Sequence, residues 1–179
     1  MRFLDKVLQQ WRFRVAEPWL PEGVTVLDIG CFQGEFLDGV KHKIFSGTGL
    51  DPLALDGSRD NLNFKKFYFK ERLPFDDETF DAVCLLAVLE HLPDVQLMAQ
   101  ECARVLRKGG RAILTVPSPK VDDILHLLIR LSLLDGMSTE EHHHFDVNHT
   151  NVVFEEAGLR LLTHRRFQLG LNNLFVFLK

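Results

Sequence analysis

The chain has 179 residues, enough for one ordinary domain and too few for two. Hydrophobic residues make up 46% and charged residues 26%, a globular composition, and the net charge of −4 argues against a nucleic-acid partner, which favours a basic surface. The odd set of Cys31, Cys84 and Cys102, without Cys-x-x-Cys spacing, argues against a disulfide framework and fits a reducing compartment. No secretory pattern opens the chain and no apolar stretch approaches the ~20 residues that cross a bilayer, so a cytoplasmic location is expected.

Phe3, Leu4, Val7, Leu8, Trp11 and Val15 recur at helical spacing, and Pro18 and Pro21 end that helix. Val24 to Ile29 reads as a buried strand, Gly30 to Gly34 as a turn and Glu35 to His42 as a helix. Gly47 to Asp51 reads as a second strand, Pro52 to Asn63 as irregular, and Phe64 to Phe69 as a third strand. Phe80 to Ala87 is a strongly apolar strand after the turn-rich stretch Leu73 to Asp77. Val95 to Leu106 has the helix period and stops at Lys108-Gly109-Gly110; a fifth strand runs from Arg111 to Val116. Val121 to Leu134 reads as a helix that is apolar on nearly every side. Thr150 to Ala157 is a further helix stopped by Gly158, and Leu159 to Gln168 with Asn173 to Leu178 forms a terminal strand pair.

Strands alternating with helices predict an α/β fold, a Rossmann-like doubly wound, mostly parallel, seven-stranded sheet closed by an antiparallel hairpin. The expected organisation is a single domain, 1–179, with an N-terminal helix over 1–20 and a helical or loop insertion over 120–149. In such sheets ligands bind beyond the carboxyl ends of the strands. After the first strand, Gly30 and Gly34 permit a sharp turn and close approach of a ligand, and Asp28 sets a carboxylate beneath it. The Gly-x-Gly-x-x-Gly pattern of a pyrophosphate site is absent, and an acid there suits an amine and a sulfonium better than phosphates. Asp51, ending the second strand, can accept from both hydroxyls of a ribose.

Val26-Leu27-Asp28-Ile29-Gly30-Cys31-x-x-Gly34 followed by Gly49-Leu50-Asp51 resembles the first two motifs of class I S-adenosylmethionine-dependent methyltransferases. Leu73-Pro74-Phe75 with Phe80-Asp81, then Leu89-Glu90-His91-Leu92, resembles their third region. Arg104 to Gly110 resembles the helix end and turn before their fifth strand. The likeness is to the type 11 and type 23 families, which act mostly on small molecules, and extends to Glu156-Ala157-Gly158-Leu159. It implies S-adenosyl-L-methionine as cofactor, held by Asp28, Gly30, Cys31, Phe32, Gly34, Asp51, Pro52, Glu71, Arg72, Leu73, Leu86 and Ala87. Two positions depart from the pattern. Phe32 stands where the family has glycine. The stretch Phe67 to Arg72 lacks the aspartate that receives the adenine amine, leaving Glu71 as the nearest acid and the backbone of Arg72 or Leu73 as substitutes.

Methyl transfer requires no catalytic nucleophile; a hydroxyl acceptor would benefit from a base. Candidate bases are His91, after the fourth strand, and His143 and His144, in a segment similar to the family's acceptor-pocket wall. Adjacent histidines diverge on any regular element, and no spaced ligand motif accompanies them, so no metal is expected. The apolar segment 121–134 is either buried under the N-terminal helix, a lid on an apolar acceptor site, or a dimer contact. The expected activity is methylation of a small, partly apolar molecule by a monomer or homodimer. The alternative is a catalytically degenerate binding module; a nicotinamide-dependent oxidoreductase fails on the missing glycine pattern.

Overall fold

The computed structural model describes residues 3–118 and 146–179. The segment 121–134, His143 and His144 lie outside the described residues. Eight strands are arranged in the order β3-β4-β2-β1-β5-β6-β8-β7. They are β1 (Thr25–Ile29), β2 (Ser46–Asp51), β3 (Gly57–Arg59), β4 (Leu62–Lys66), β5 (Phe80–Leu86), β6 (Leu106–Pro117), β7 (Arg160–Phe167) and β8 (Asn172–Leu178). The helices are α1 (Phe3–Ala16), α2 (Glu35–Val40), α3 (Val95–Val105) and α4 (Thr150–Glu156).

Strands β4, β2, β1, β5 and β6 run parallel; at one edge β8 is antiparallel to β6 and to β7, so that β7 runs with the parallel set, and at the other edge β3 is antiparallel to β4. This is the doubly wound sheet the sequence predicts, with one strand more. The additional β3 pairs antiparallel with β4 through Arg59↔Leu62, in the stretch expected to be irregular. Its two-residue loop has Asp60 at φ +54, the left-handed backbone such a hairpin needs. The Asn61 side chain donates to the carbonyls of Lys41, Ile44 and Phe45, tying this hairpin to the loop before β2.

Successive side chains of a strand point to opposite faces, so each strand feeds two cores. Val26, Ala82, Cys84, Ile113, Leu174 and Val176 pack with α1 and α2 residues such as Ala16, Phe36 and Leu37. Leu27, Val83, Leu85, Leu114, Phe175 and Phe177 pack with α3 and α4 through Met98, Cys102 and Phe154. By parity Asp28 shares the face of Val26, the one that α1 covers.

Two boundaries differ from expectation. Strand β4 is Leu62–Lys66 and not Phe64–Phe69, because its register Gly47↔Leu62 to Asp51↔Lys66 ends it level with β2. Strand β6 begins at Leu106, so Lys108-Gly109-Gly110 is a bulge within a strand. The register shifts opposite Phe80/Ala82, Gly109 turns at φ +80, and its amide donates to the Lys179 carbonyl.

One buried ionic node joins α3 to the loop before β5. Glu101 accepts from the Arg104 guanidinium at 2.6 and 2.7 Å and from the Leu73 amide at 2.7 Å. Arg104 also donates to Asp77 and to the carbonyls of Phe75 and Leu73. Burial raises the Glu101 carboxyl, but Arg104 and the Leu73 amide outweigh it and hold the group below its ordinary value. Glu101→Ala leaves Arg104 and the Leu73 amide undercompensated, so it should destabilise the fold by about 2–3 kcal/mol in urea titration. A loss within experimental error would show that the node contributes nothing.

Candidate cofactor site

The carboxyl ends of β1, β2 and β5 converge on the turn Gly30–Gly34. The Gly30 and Cys31 amides both donate to the Leu50 carbonyl, at 2.7 and 3.2 Å, pinning the turn against the end of β2. Asp51 completes the link: one carboxylate oxygen accepts from the Phe32 amide at 2.9 Å and the other from the Leu53 amide at 2.7 Å. A carboxylate offers about four lone-pair positions, so each oxygen retains acceptor capacity. The turn is braced from the far side by Arg59, which donates to the Gln33 carbonyl at 2.6 Å, pairs with Asp38 on α2, and lies over the Phe64 ring.

Both glycines have left-handed backbones, Gly30 at φ +74 and Gly34 at φ +87. Their missing Cβ atoms serve the protein's own packing: a methyl on Gly30 would collide with Val88, and one on Gly34 with the Phe64 ring. Phe32 is itself left-handed at φ +49. A side chain in this region costs about 1–2 kcal/mol, a cost that glycine at this position would avoid. Ala87, just past β5, is also left-handed at φ +62, with its amide donating to the Thr115 carbonyl.

Asp28, Gly30, Cys31, Phe32 and Leu86 line a cavity of about 50 Å³ whose roof is Gln9, Arg12 and Phe13 of α1. The Asp28 carboxyl is 2% exposed. Burial first, and then the charges of Asp51 and Glu35, push it well above the ordinary carboxylate value. Arg12 was not among the residues expected at the site. Burial pulls its guanidinium down, opposed by the carboxylates of Glu90, in the short turn after β5, and of Asp5. The available signal was a lone arginine beside the apolar stripe of an otherwise ordinary amphipathic helix.

The other expected residues divide. Pro52 is half-buried beside Asp51, with Leu53 69% exposed. Cys31 is buried against Gly49, its thiol pushed up by burial and by Asp28. Glu71 and Arg72 are exposed on the loop before β5, Arg72 within 3.8 Å of Asp77. Leu73 is 1% exposed, its amide donates to Glu101 and its carbonyl accepts from Arg104, so its backbone is largely engaged within the protein. His91 is exposed in the short turn Leu89–His91 at the end of β5. Among the described residues no cluster of three or more His, Cys, Asp or Glu is arranged to hold a metal ion, and no helix is long and apolar enough to cross a membrane.

A doubly wound sheet with an acid at the penultimate residue of its first strand and another at the end of its second, flanking a glycine turn, is the arrangement of a nucleoside-cofactor domain. The chain belongs to the methyltransferase-domain family, which it matches over residues 2–164, and thus to the class I S-adenosylmethionine-dependent methyltransferases. A curated relative, the ubiquinone biosynthesis O-methyltransferase of Alkalilimnicola ehrlichii, is 32% identical over 101 residues, 51% of this chain and 41% of that protein. A second, from Paracidovorax citrulli, is 24% identical over 69% of this chain and 56% of its own length, so the chain spans about half of these relatives. Among solved structures, an S-adenosylmethionine-dependent methyltransferase from Mesorhizobium loti superposes with a TM-score of 0.71 at 16% identity, covering 93% of this chain and 96% of that one. A chain from the complex of the Haloferax volcanii Trm112 methyltransferase activator with a methyltransferase gives 0.72 at 19% identity, covering 99% and 98%.

Two measurements check this geometry. The folded Asp28 carboxyl lies above its unfolded value near 3.8, so the folded chain holds an extra proton between the two values and loses stability as pH rises through that window. Asp28→Asn removes the loss. Its melting temperature should exceed that of the parent at pH 8, with the difference shrinking toward pH 4. At residue 32, Phe32→Gly should be more stable than Phe32→Ala by about 1 kcal/mol, because only glycine relieves the left-handed strain. The reverse order would show that residue 32 is not left-handed in solution.

Proposed function

We propose that this chain transfers a methyl group from S-adenosylmethionine to a small organic acceptor with an apolar part, the acceptor atom being oxygen. The observation that carries the reading is the pair of carboxylates, Asp28 and Asp51, flanking one backbone turn at the ends of adjacent strands. The fit to the cofactor rests on the same groups. The remaining lone pairs of Asp51 suit the two ribose hydroxyls, and a buried, unusually basic carboxyl at Asp28 suits an ammonium. Arg12, lining the same cavity, suits the carboxylate of the amino-acid end. Leu53 and Pro52 offer apolar surface to the base.

When bound, S-adenosylmethionine supplies an electrophilic methyl on a sulfonium, and a neutral thioether departs. The chain's part is to orient and desolvate. Asp51 and Asp28 fix the two ends, the Leu86–Ala87 segment faces the region between them, and α1 with Phe13 and Phe32 excludes water from the amino-acid end. The small cavity has room for one or two waters, so Phe32 or the α1 side chains must move aside to admit that end. For a hydroxyl acceptor, exposed His91, in the short turn after β5, is the candidate base, a role worth ~10²–10⁴-fold. The oxygen acceptor is inferred from the curated relatives, which are named O-methyltransferases.

A second reading, a binding module without turnover, is favoured by the strain and bulk of Phe32 at the amino-acid end. The test is release of S-adenosylhomocysteine over a panel of phenolic and other small acceptors, together with melting temperature in the presence of each ligand. The first reading expects S-adenosylmethionine and S-adenosylhomocysteine to raise the midpoint, NAD to leave it unchanged, and one acceptor class to turn over. Asp51→Ala should weaken adenosyl-ligand affinity about 10-fold or more. Binding without turnover across the panel would favour the second reading, and an unchanged midpoint at millimolar ligand would overturn both.

A further inference from the structure

On the side of α1 away from the glycine turn, a cleft of about 320 Å³ opens between the end of this helix and strands β7 and β8. Its floor is Leu174, 2% exposed, and its apolar walls include Trp19 and Phe167. Trp19 is fixed at its backbone, because the Arg111 guanidinium donates to its carbonyl at 2.9 Å. The rim is Arg14 from α1 and Arg165 and Arg166 from β7, all exposed. Among the described residues none of these three guanidinium groups makes a salt bridge or hydrogen bond, whereas Arg59, Arg104 and Arg107 are all paired with carboxylates.

The concentration of unpaired cations runs against the chain's net charge of −4. Three exposed guanidinium groups line one cleft, and among the described residues no carboxylate pairs with them, so the rim is open to an anion. The volume falls in the range of small-molecule sites, ~300–1,000 Å³, and the concave shape differs from a flat protein interface. Aromatic walls accept a flat apolar body, and guanidinium groups pair with carboxylate or sulfonate oxygens in a planar fork.

We propose that this cleft is a second ligand site, distinct from the cofactor turn, for a small planar organic anion: an aromatic body seated between Trp19 and Phe167 with its acid group on Arg165, Arg166 and Arg14. Helix α1 contributes Arg12 and Phe13 to the cavity over the glycine turn and Arg14 to this cleft, so one helix borders both sites.

The cleft has its own reporter. The chain has two tryptophans, so Trp11→Phe leaves Trp19 as the single probe for fluorine NMR of fluorotryptophan-labelled protein. Naphthoate is the probe ligand, naphthalenemethanol the neutral body of the same shape, and inorganic phosphate the anion without a body. Naphthoate should shift the Trp19 resonance saturably at sub-millimolar concentration, with the alcohol and phosphate each about 10-fold weaker or more. Arg165→Gln combined with Arg166→Gln should weaken naphthoate at least ~10-fold while leaving the melting temperature and adenosyl-ligand binding unchanged. No saturable shift, equal affinity for the alcohol, or an unaffected double variant would each overturn the proposal.

Discussion

The structure depends on the hydrogen bond from the Phe32 amide to the Asp51 carboxylate. Together with the Gly30 and Cys31 amides on the Leu50 carbonyl, it binds the turn after β1 to the last residues of β2. Parallel pairing brings those strand ends level, Ile29 opposite Leu50. The acid that ends β2 is therefore also the acid that shapes the turn after β1. One carboxylate orders two parts of the cofactor surface before any ligand arrives, which reduces the ordering that binding must supply.

The same arrangement stores unfavourable electrostatics. Asp28 is buried near Asp51 and Glu35, and Arg12 is drawn down by burial above it. Burying ionisable groups costs free energy unless they are paired, and sites that bind charged ligands commonly retain that cost. On the proposed reading, a zwitterionic amino-acid group, ammonium toward Asp28 and carboxylate toward Arg12, would answer both groups. The left-handed Phe32 and Ala87 add backbone strain on the two sides of the same region.

Much of this was legible in the sequence, because the signals are local. The β1–turn–α2 unit and the end of β2 occupy short, strongly patterned runs, and Asp28, Gly30, Gly34 and Asp51 fall where those runs place them. Strand β3 was not legible: three exposed polar residues carry no periodicity, and only the Asp60-Asn61 turn and its long-range hydrogen bonds mark it. Arg12 was missed because Glu90, whose charge it meets, is distant in sequence. The burial of Leu73 was not legible because its neighbours suggest an open loop, while Glu101 and Arg104, on a helix beyond β5, engage its backbone. The phenylalanine at position 32 was visible as a departure, but only its φ of +49 shows that the turn keeps a glycine-like backbone around it.

The most direct test is calorimetric titration with S-adenosylhomocysteine over a series of pH values, in buffers of different ionisation enthalpy, which separates binding from proton exchange. An ammonium placed beside Asp28 would lower its raised carboxyl value, so the account predicts saturable binding with proton release in the pH window between the free and bound values, which Asp28→Asn abolishes. Proton uptake, release unaltered in Asp28→Asn, or no binding would contradict it.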